Sequence, residues 1–197
     1  MTVKTILVFD TECTSLLPKI KNITKFNVKE FPYVVQMSWI VYDLELKKVI
    51  KTKDFIVKVD VHISNSQIHG ITDDISQEKG VDIGGVLGQF VEDIMEVDML
   101  VAHNYGFDTR VIEAELFRLD KTKEIQWLYK KDYYCTMMET IDFCGLEGKF
   151  YGSFKYARLQ ELHIKLFNCE FQNAHNSLAD VNSTLRCYLK FAHGIDQ

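Results

Sequence analysis

Apolar residues fall along this chain in two rhythms, and the change from one to the other predicts its layout. Residues 4–9 are apolar on both faces and rich in β-formers, which predicts a strand buried in the middle of a sheet. Over 33–42, Val35, Met37, Trp39 and Val41 share one face, and over 49–59 Phe55, Val57 and Val59 alternate. A polar turn at 43–48 joins the two stretches, predicting a hairpin. Residues 60–80 carry no clear period and read as irregular. Ile83, Val86, Leu87, Phe90, Val91 and Ile94 then recur at helical spacing. A short apolar strand over 99–102 follows, then a helix over 109–119, a strand over 133–136, and a short helix that Gly145 and Gly148 end. Leu159, Leu162 and Leu166 form one stripe of a helix over 155–167, and Leu178, Val181, Leu185, Tyr188 and Leu189 mark the last helix. Strands first, then strands alternating with helices, predict an α/β fold. Its mixed five-stranded sheet joins three antiparallel strands to parallel ones, with helices on both faces.

The first strand runs directly into Asp10-Thr11-Glu12-Cys13-Thr14-Ser15. Alternate side chains of a strand share a face, so Asp10 and Glu12 project together. Two like charges held that close are neutralised by raised pKa values or by a cation, unless both sit in water. A hard divalent metal with oxygen ligands is the usual partner. Asp108 follows the fourth strand, and ligands of open α/β sheets gather at strand carboxyl ends. Asp180 lies five residues after His175. Five helical residues turn ~500°, leaving the two side chains ~140° apart, so one helix face cannot present both. His175 is therefore expected on the loop before the last helix, with Ser177 as its N-cap and Asp180 in the first turn.

Composition narrows the class without changing this layout. The 197 residues, 47% apolar and 26% charged, predict a globular chain forming one domain over residues 1–197. No apolar stretch approaches the ~20 residues that span a bilayer, and the opening apolar run is too short for a signal peptide. The expectation is a protein that works inside the cell, in cytoplasm, nucleoid or nucleus, without a membrane partner. The five cysteines contain no C-x-x-C pair and read as reduced thiols. A net charge of −5 argues against coating nucleic acid by charge alone. Four acids in one site carry most of that charge formally, and two Mg²⁺ would cancel them. Lys19, Lys21, Lys25, Lys29, Lys155 and Arg158 remain as candidate phosphate contacts.

Taken in order, Phe9-Asp10-Thr11-Glu12-Cys13-Thr14, His103-Asn104-Tyr105-Gly106-Phe107-Asp108, and His175 with Asp180 resemble the motifs of the DEDDh exonucleases. This is the DnaQ-like 3′→5′ exonuclease family, with an RNase H-like fold. Ile68-His69-Gly70-Ile71-Thr72, Cys135-Thr136-Met137 and Leu159-Gln160-Glu161-Leu162 support the match, which covers residues 4 to about 192 and is most similar in layout to compact bacterial and large-DNA-virus members. The resemblance implies that Asp10, Glu12, Asp108 and Asp180 hold two Mg²⁺ or Mn²⁺ ions, and that His175 is a general base toward the attacking water. It implies release of nucleoside 5′-monophosphates from a nucleic-acid 3′ end. The terminal nucleotide would be seated by Thr11, Glu12, Cys13, Thr14, Ile68 and His69, with Phe107 stacking or packing beside it. DNA, single-stranded or with a 3′ overhang, is the favoured substrate in a proofreading or repair role, and RNA is the alternative. His103, directly after a buried strand, is expected to be structural.

Two features depart from the family pattern: Thr14-Ser15 stands where Thr-Gly is common, and Tyr105 is bulkier than usual. The chain ends soon after its last helix without the tail that tethers a proofreading subunit, so a polymerase partner stays open. Two rivals complete the expectations. Asp10-Thr11-Glu12-Cys13-Thr14 echoes the nucleophile motif of haloacid-dehalogenase-like phosphatases, and a non-catalytic nucleic-acid-binding scaffold could retain the same fold.

Overall fold

The computed structural model describes residues 3–196. Its sheet has the order β3-β2-β1-β4-β5, with β1 (Thr5–Cys13) in the middle. β2 (Val34–Asp43) and β3 (Lys48–Ile56) continue antiparallel on one side, and β4 (Met99–Ala102) and β5 (Asp132–Cys135) run parallel to β1 on the other. The mixed five-stranded sheet expected from the sequence is present. One boundary differs in a way that matters. β1 does not stop at Phe9, because its ladder with β2 continues through Asp10↔Ser38, Thr11↔Met37 and Glu12↔Gln36, and the register shifts only between Glu12 and Cys13. Both carboxylates therefore stand on the sheet itself.

Between the hairpin and β4, the stretch expected to be irregular contains α1 (Ser66–His69) and α2 (Asp73–Lys79). Each is too short to show an apolar period; α2 is started by Thr72, whose hydroxyl accepts from the Ile75 N–H at 3.3 Å. α3 (Ile83–Glu96) follows with the predicted stripe buried from Val86 to Ile94 and Ile83 half-buried at its start. α4 (Tyr105–Arg118) begins four residues before the expected start. Asn104 makes this early start feasible with φ of 73°, a left-handed conformation that Asn tolerates better than most residues. α5 (Ile125–Lys130) precedes β5, and α6 (Thr136–Glu139) and α7 (Ile141–Cys144) replace the single short helix expected there. α8 (Leu159–Phe167) starts later than 155 because Arg158 is extended and gives its N–H to the Glu161 carboxylate at 2.7 Å. α9 (Ser177–His193) ends the fold.

Alternation along β1 divides the core into two layers. Leu7 and Phe9 pack with Trp39, Phe90, Val111 and Ile112, the side covered by α3 and α4. Ile6 and Val8 pack with Ile40, Tyr42, Val181 and Tyr188, the side covered by α9. The rings of Phe9 and Trp39 each lie 5.3 Å from that of Phe90. All three are fully buried, each stabilising the fold by about 1.5–3 kcal/mol through removal from water. By the same alternation Asp10 and Glu12 share the face of Ile6 and Val8, under the start of α9. Four cysteines are buried, Cys169 is exposed, and all five are free thiols. No helix among the described residues is long and apolar enough to cross a membrane.

Candidate active site

Asp10 and Glu12 meet Asp180 because α9 begins directly over the end of β1. The expected N-cap is corrected here: Asn176 caps α9, its side chain accepting from the Ala179 N–H at 3.3 Å. Ser177 is the first helical residue, and its hydroxyl donates to the Asp10 carbonyl at 2.8 Å, pinning the helix to the strand. Asp180 falls in the first turn as expected. His175 sits on the preceding loop with φ of 69°, exposed, and its backbone N–H donates to Asp180 Oδ2 at 3.2 Å. Ligand-capable atoms of Glu12, His175 and Asp180 all lie within 4.8 Å of one another.

Asp108 arrives from the opposite layer. It lies inside α4 rather than at its N-cap, is 3% exposed, and accepts from both the Thr11 N–H at 3.0 Å and the Thr11 hydroxyl at 2.8 Å. Two donors on one oxygen hold this carboxylate against β1 while leaving its charge uncancelled.

The electrostatics of the cluster follow from burial and crowding. Burial, and then the charges of Asp108, Asp180 and Glu12, push the Asp10 carboxyl well above the usual carboxylate range. Burial first and then Asp180 and Asp108 lift Glu12 to about 8. Burial lifts Asp180 to about 7 against the opposing bond from His175. Asp108 is raised by burial despite the two bonds from Thr11. Asp10 Oδ2 and Asp180 Oδ1 are buried with no hydrogen-bond partner. Buried lone pairs without donors, in a set of four carboxylates and one imidazole, fit a hard divalent cation.

A cavity of about 360 Å³ opens over this cluster, and Asp10, Glu12, Asp108, His175 and Asp180 all line it. Thr11 and Phe107 line it too. Ile68 and His69 instead line an adjoining groove of about 510 Å³ with Asn173 and His175, so His175 stands between the two. Cys13 and Thr14 reach neither. The Cys13 thiol donates to the Ser15 carbonyl at 3.1 Å, and the Thr14 hydroxyl accepts from the Tyr33 N–H at 3.0 Å, so both side chains hold the turn. His103 borders the cavity with both ring nitrogens engaged, Nε2 donating to the Ala157 carbonyl at 3.0 Å and Nδ1 accepting from the Thr136 hydroxyl at 2.9 Å. Of the basic candidates, Arg158 lines the cavity, Lys155 faces Glu161 at 3.4 Å, and Lys21 lines a separate 670 Å³ cavity beside α4.

Sequence reasoning did not find Tyr156 or Gln36, and gave Asn104 no role beyond its place in the second motif. Tyr156 and Asn104 line the cavity. Gln36 is paired with Glu12 across β1 and β2, and its side-chain oxygen accepts from the Ser177 N–H at 3.2 Å while its amide donates to Asp54 at 2.8 Å. It ties the start of α9 to a second strand. The available signal was an amide within a largely apolar strand, where Ser38 is the other buried polar side chain.

Known proteins share this fold. Residues 7–188 match the family profile described as Exonuclease, of the RNase T type. No curated protein matches the chain significantly. Solved structures do: E. coli Exonuclease I in complex with a dT13 oligonucleotide is 20% identical, with a TM-score of 0.69 over 95% of this chain and 41% of that one. A zinc-bound E. coli Exonuclease I complex with single-stranded DNA is 20% identical, TM-score 0.71, over 97% and 41%. A moderately thermophilic Exonuclease I from Methylocaldum szegediense is 21% identical, TM-score 0.66, over 97% and 41%. The chain spans about two fifths of the length of these neighbours.

Fold and site together define a nuclease domain of RNase H-like architecture. The chain belongs to the exonuclease family, in its DnaQ-like DEDDh group. That membership displaces the phosphatase reading of Asp10-Thr11-Glu12-Cys13-Thr14.

Proposed function

We propose that the protein removes nucleotides one at a time from the 3′ end of a nucleic acid, releasing nucleoside 5′-monophosphates, with divalent metal ions at the four carboxylates. The observation that carries this reading is the convergence of Asp10, Glu12, Asp108 and Asp180 at one cavity, with unpartnered buried oxygens on Asp10 and Asp180. Two Mg²⁺ or Mn²⁺ ions, when bound, would activate the attacking water and stabilise the departing oxygen.

The remaining chemistry belongs to the chain. His175, at the mouth of the cavity and free of the sheet, takes the proton of the attacking water at a ring nitrogen. The new P–O bond forms as the bond to the 3′ oxygen of the shortened strand breaks, and that oxygen is then protonated. An oxygen-preferring metal leaves the imidazole available for this task, whereas a softer ion would recruit it as a ligand. Phe107 and Thr11 pack beside the terminal nucleotide, and half-exposed Ile68 offers an apolar edge to its base from the adjoining groove. DNA is the favoured substrate, supported by the oligonucleotides held by the E. coli neighbours.

The test is a panel of 5′-labelled single- and double-stranded DNA and RNA with Mg²⁺, Mn²⁺ or EDTA. The expected result is a metal-dependent ladder shortening from the 3′ end. Immediate release of a labelled mononucleotide would reverse the polarity, and binding without cleavage would establish the scaffold reading. Preferential degradation of RNA would make the protein an exoribonuclease.

A further inference from the structure

Between α7 and α8 the chain builds a small hairpin that the catalytic reading does not use. Glu147 and Phe154 form an antiparallel bridge, the Gly148 N–H donates to the Ser153 carbonyl at 2.8 Å, and the Lys155 N–H donates to the Leu146 carbonyl at 2.9 Å. Ser153 closes the turn, with its hydroxyl donating to the Phe150 carbonyl at 2.7 Å. The turn requires its glycines: Gly152 has φ of 74°, and a side chain at Gly148 would strike the Ser153 backbone. This ordered segment nevertheless turns its aromatic rings outward. Phe150 is 73% exposed, Tyr151 is fully exposed, and Phe154 and Tyr156 are about half exposed.

Phe150, Tyr151 and Phe154 on so short a segment lie outside the folded core, and their neighbours indicate what covers them. Lys149 precedes Phe150, and Lys155, half-exposed in its pair with Glu161 at 3.4 Å, separates Phe154 from Tyr156, which favours a polyanion over an apolar partner. The hairpin also leads straight into Tyr156 and Arg158, which line the catalytic cavity. Aromatic rings interleaved with cations form the platform on which unpaired bases stack, since every base presents a π-face whatever its identity. A duplex keeps its bases stacked inside and cannot use such rings.

We propose that the 146–156 hairpin is a stacking clamp for the unpaired strand on the 5′ side of the nucleotide being removed. This rests on the exonuclease reading of the adjacent cavity and adds to it the feature that selects single strands. From Tyr156 to Tyr151 the backbone reaches at most about 16 Å at ~3.3 Å per residue. Stacked nucleotides rise ~3.4 Å each, so the clamp covers at most about five nucleotides.

The experiment compares the chain with a Phe150→Ala/Tyr151→Ala/Phe154→Ala variant. In an Asp10→Asn background with Mg²⁺, where strands are not degraded, fluorescein-labelled dT2 to dT10 are titrated by anisotropy. Affinity should rise with length up to about six or seven nucleotides and then level off. The triple variant should bind dT10 more weakly by at least tenfold, at roughly tenfold per ring engaged, and lose most of the length dependence. With Asp10 restored, dinucleotide hydrolysis should proceed at the original rate, because a dinucleotide is too short to reach the tip of the hairpin. Phe150→Trp should retain dT10 affinity, which simple loss of hairpin structure would not allow. Unchanged dT10 binding in the triple variant overturns the proposal. So does an equal loss of affinity for dT2 and dT10, or a self-association that the variant abolishes while dT10 binding persists. Absence of hydrolysis in the unsubstituted chain would refute the exonuclease reading instead, leaving the binding result to decide the clamp.

Discussion

Asp180→Asn should stabilise the metal-free protein at neutral and alkaline pH while ending its metal-dependent activity. The Asp180 carboxyl is shifted from an ordinary 3.8 to about 7 in the fold. Below 3.8 it is protonated in both folded and unfolded chains and costs nothing. Between 3.8 and 7 the unfolded chain releases a proton that the fold retains, so stability falls as pH rises and the full penalty applies above 7. At ~1.36 kcal/mol per pH unit the span amounts to about 4 kcal/mol. This is an upper figure, because Asp180 is only partly shielded from solvent and its repulsion is shared with Asp10 and Glu12, which can take up protons in its place. A gain of about 1–3 kcal/mol is the working expectation, and for a chain of this size that raises Tm by roughly 3–10 °C. Thermal melts in EDTA at pH 8 and pH 4 make the comparison, with Mn²⁺ added as a third arm. The variant should melt higher at pH 8 and level with the parent at pH 4, and Mn²⁺ should raise the parent alone. A variant that melts lower than the parent at pH 8 in EDTA, or a difference that ignores pH, would show that burial of Asp180 does not penalise its charged form.

We further predict that His175→Ala lowers the hydrolysis rate by about 10²–10⁴ at constant pH, leaving the melting temperature nearly unchanged because the ring is exposed; an undiminished rate would deny the ring its role. His103 titrates in the other direction. Burial first lowers it from 6.5 to about 4, against the bond to the Ala157 carbonyl. As pH falls below 6.5 the unfolded chain takes a proton that the fold refuses, so stability should decline toward pH 4 by up to about 3 kcal/mol. Urea unfolding of His103→Gln at several pH values should show that part of the slope gone, and an unchanged slope would contradict the assignment.

The sequence made the layers legible because each is written in a long period: the stripes of α3 and α9 are buried but for their half-buried first members Ile83 and Leu178, and the face of β2 read from Val35, Met37, Trp39 and Val41 is buried, although its other face is buried too. It misplaced the boundaries that tertiary pairing decides. β1 outruns its apolar residues because β2 supplies hydrogen-bond partners as far as Glu12, and α4 begins early because a left-handed Asn104 makes a turn that no apolar period announces. For the site, the His175–Asp180 spacing was decisive: it excludes a shared helix face, and the histidine stands on the loop. The cap was misassigned because Asn176 and Ser177 are both good N-caps, and only the strand beneath, accepting from the Ser177 hydroxyl, separates them. Gln36 and Tyr156 carried no motif, and their relevance depends on what lies across the sheet or across a loop.

Asp108 and Asp180 come from helices on opposite sides of the sheet and meet at the end of the one strand between them. A cation held by both would act as a rivet through the full thickness of the protein, joining two layers that the sheet otherwise separates. Loading the site should then slow amide exchange in the first turns of α4 and α9 together, although the two helices bury separate cores. The metal would in that case govern the breathing of the whole domain as well as the chemistry at its edge.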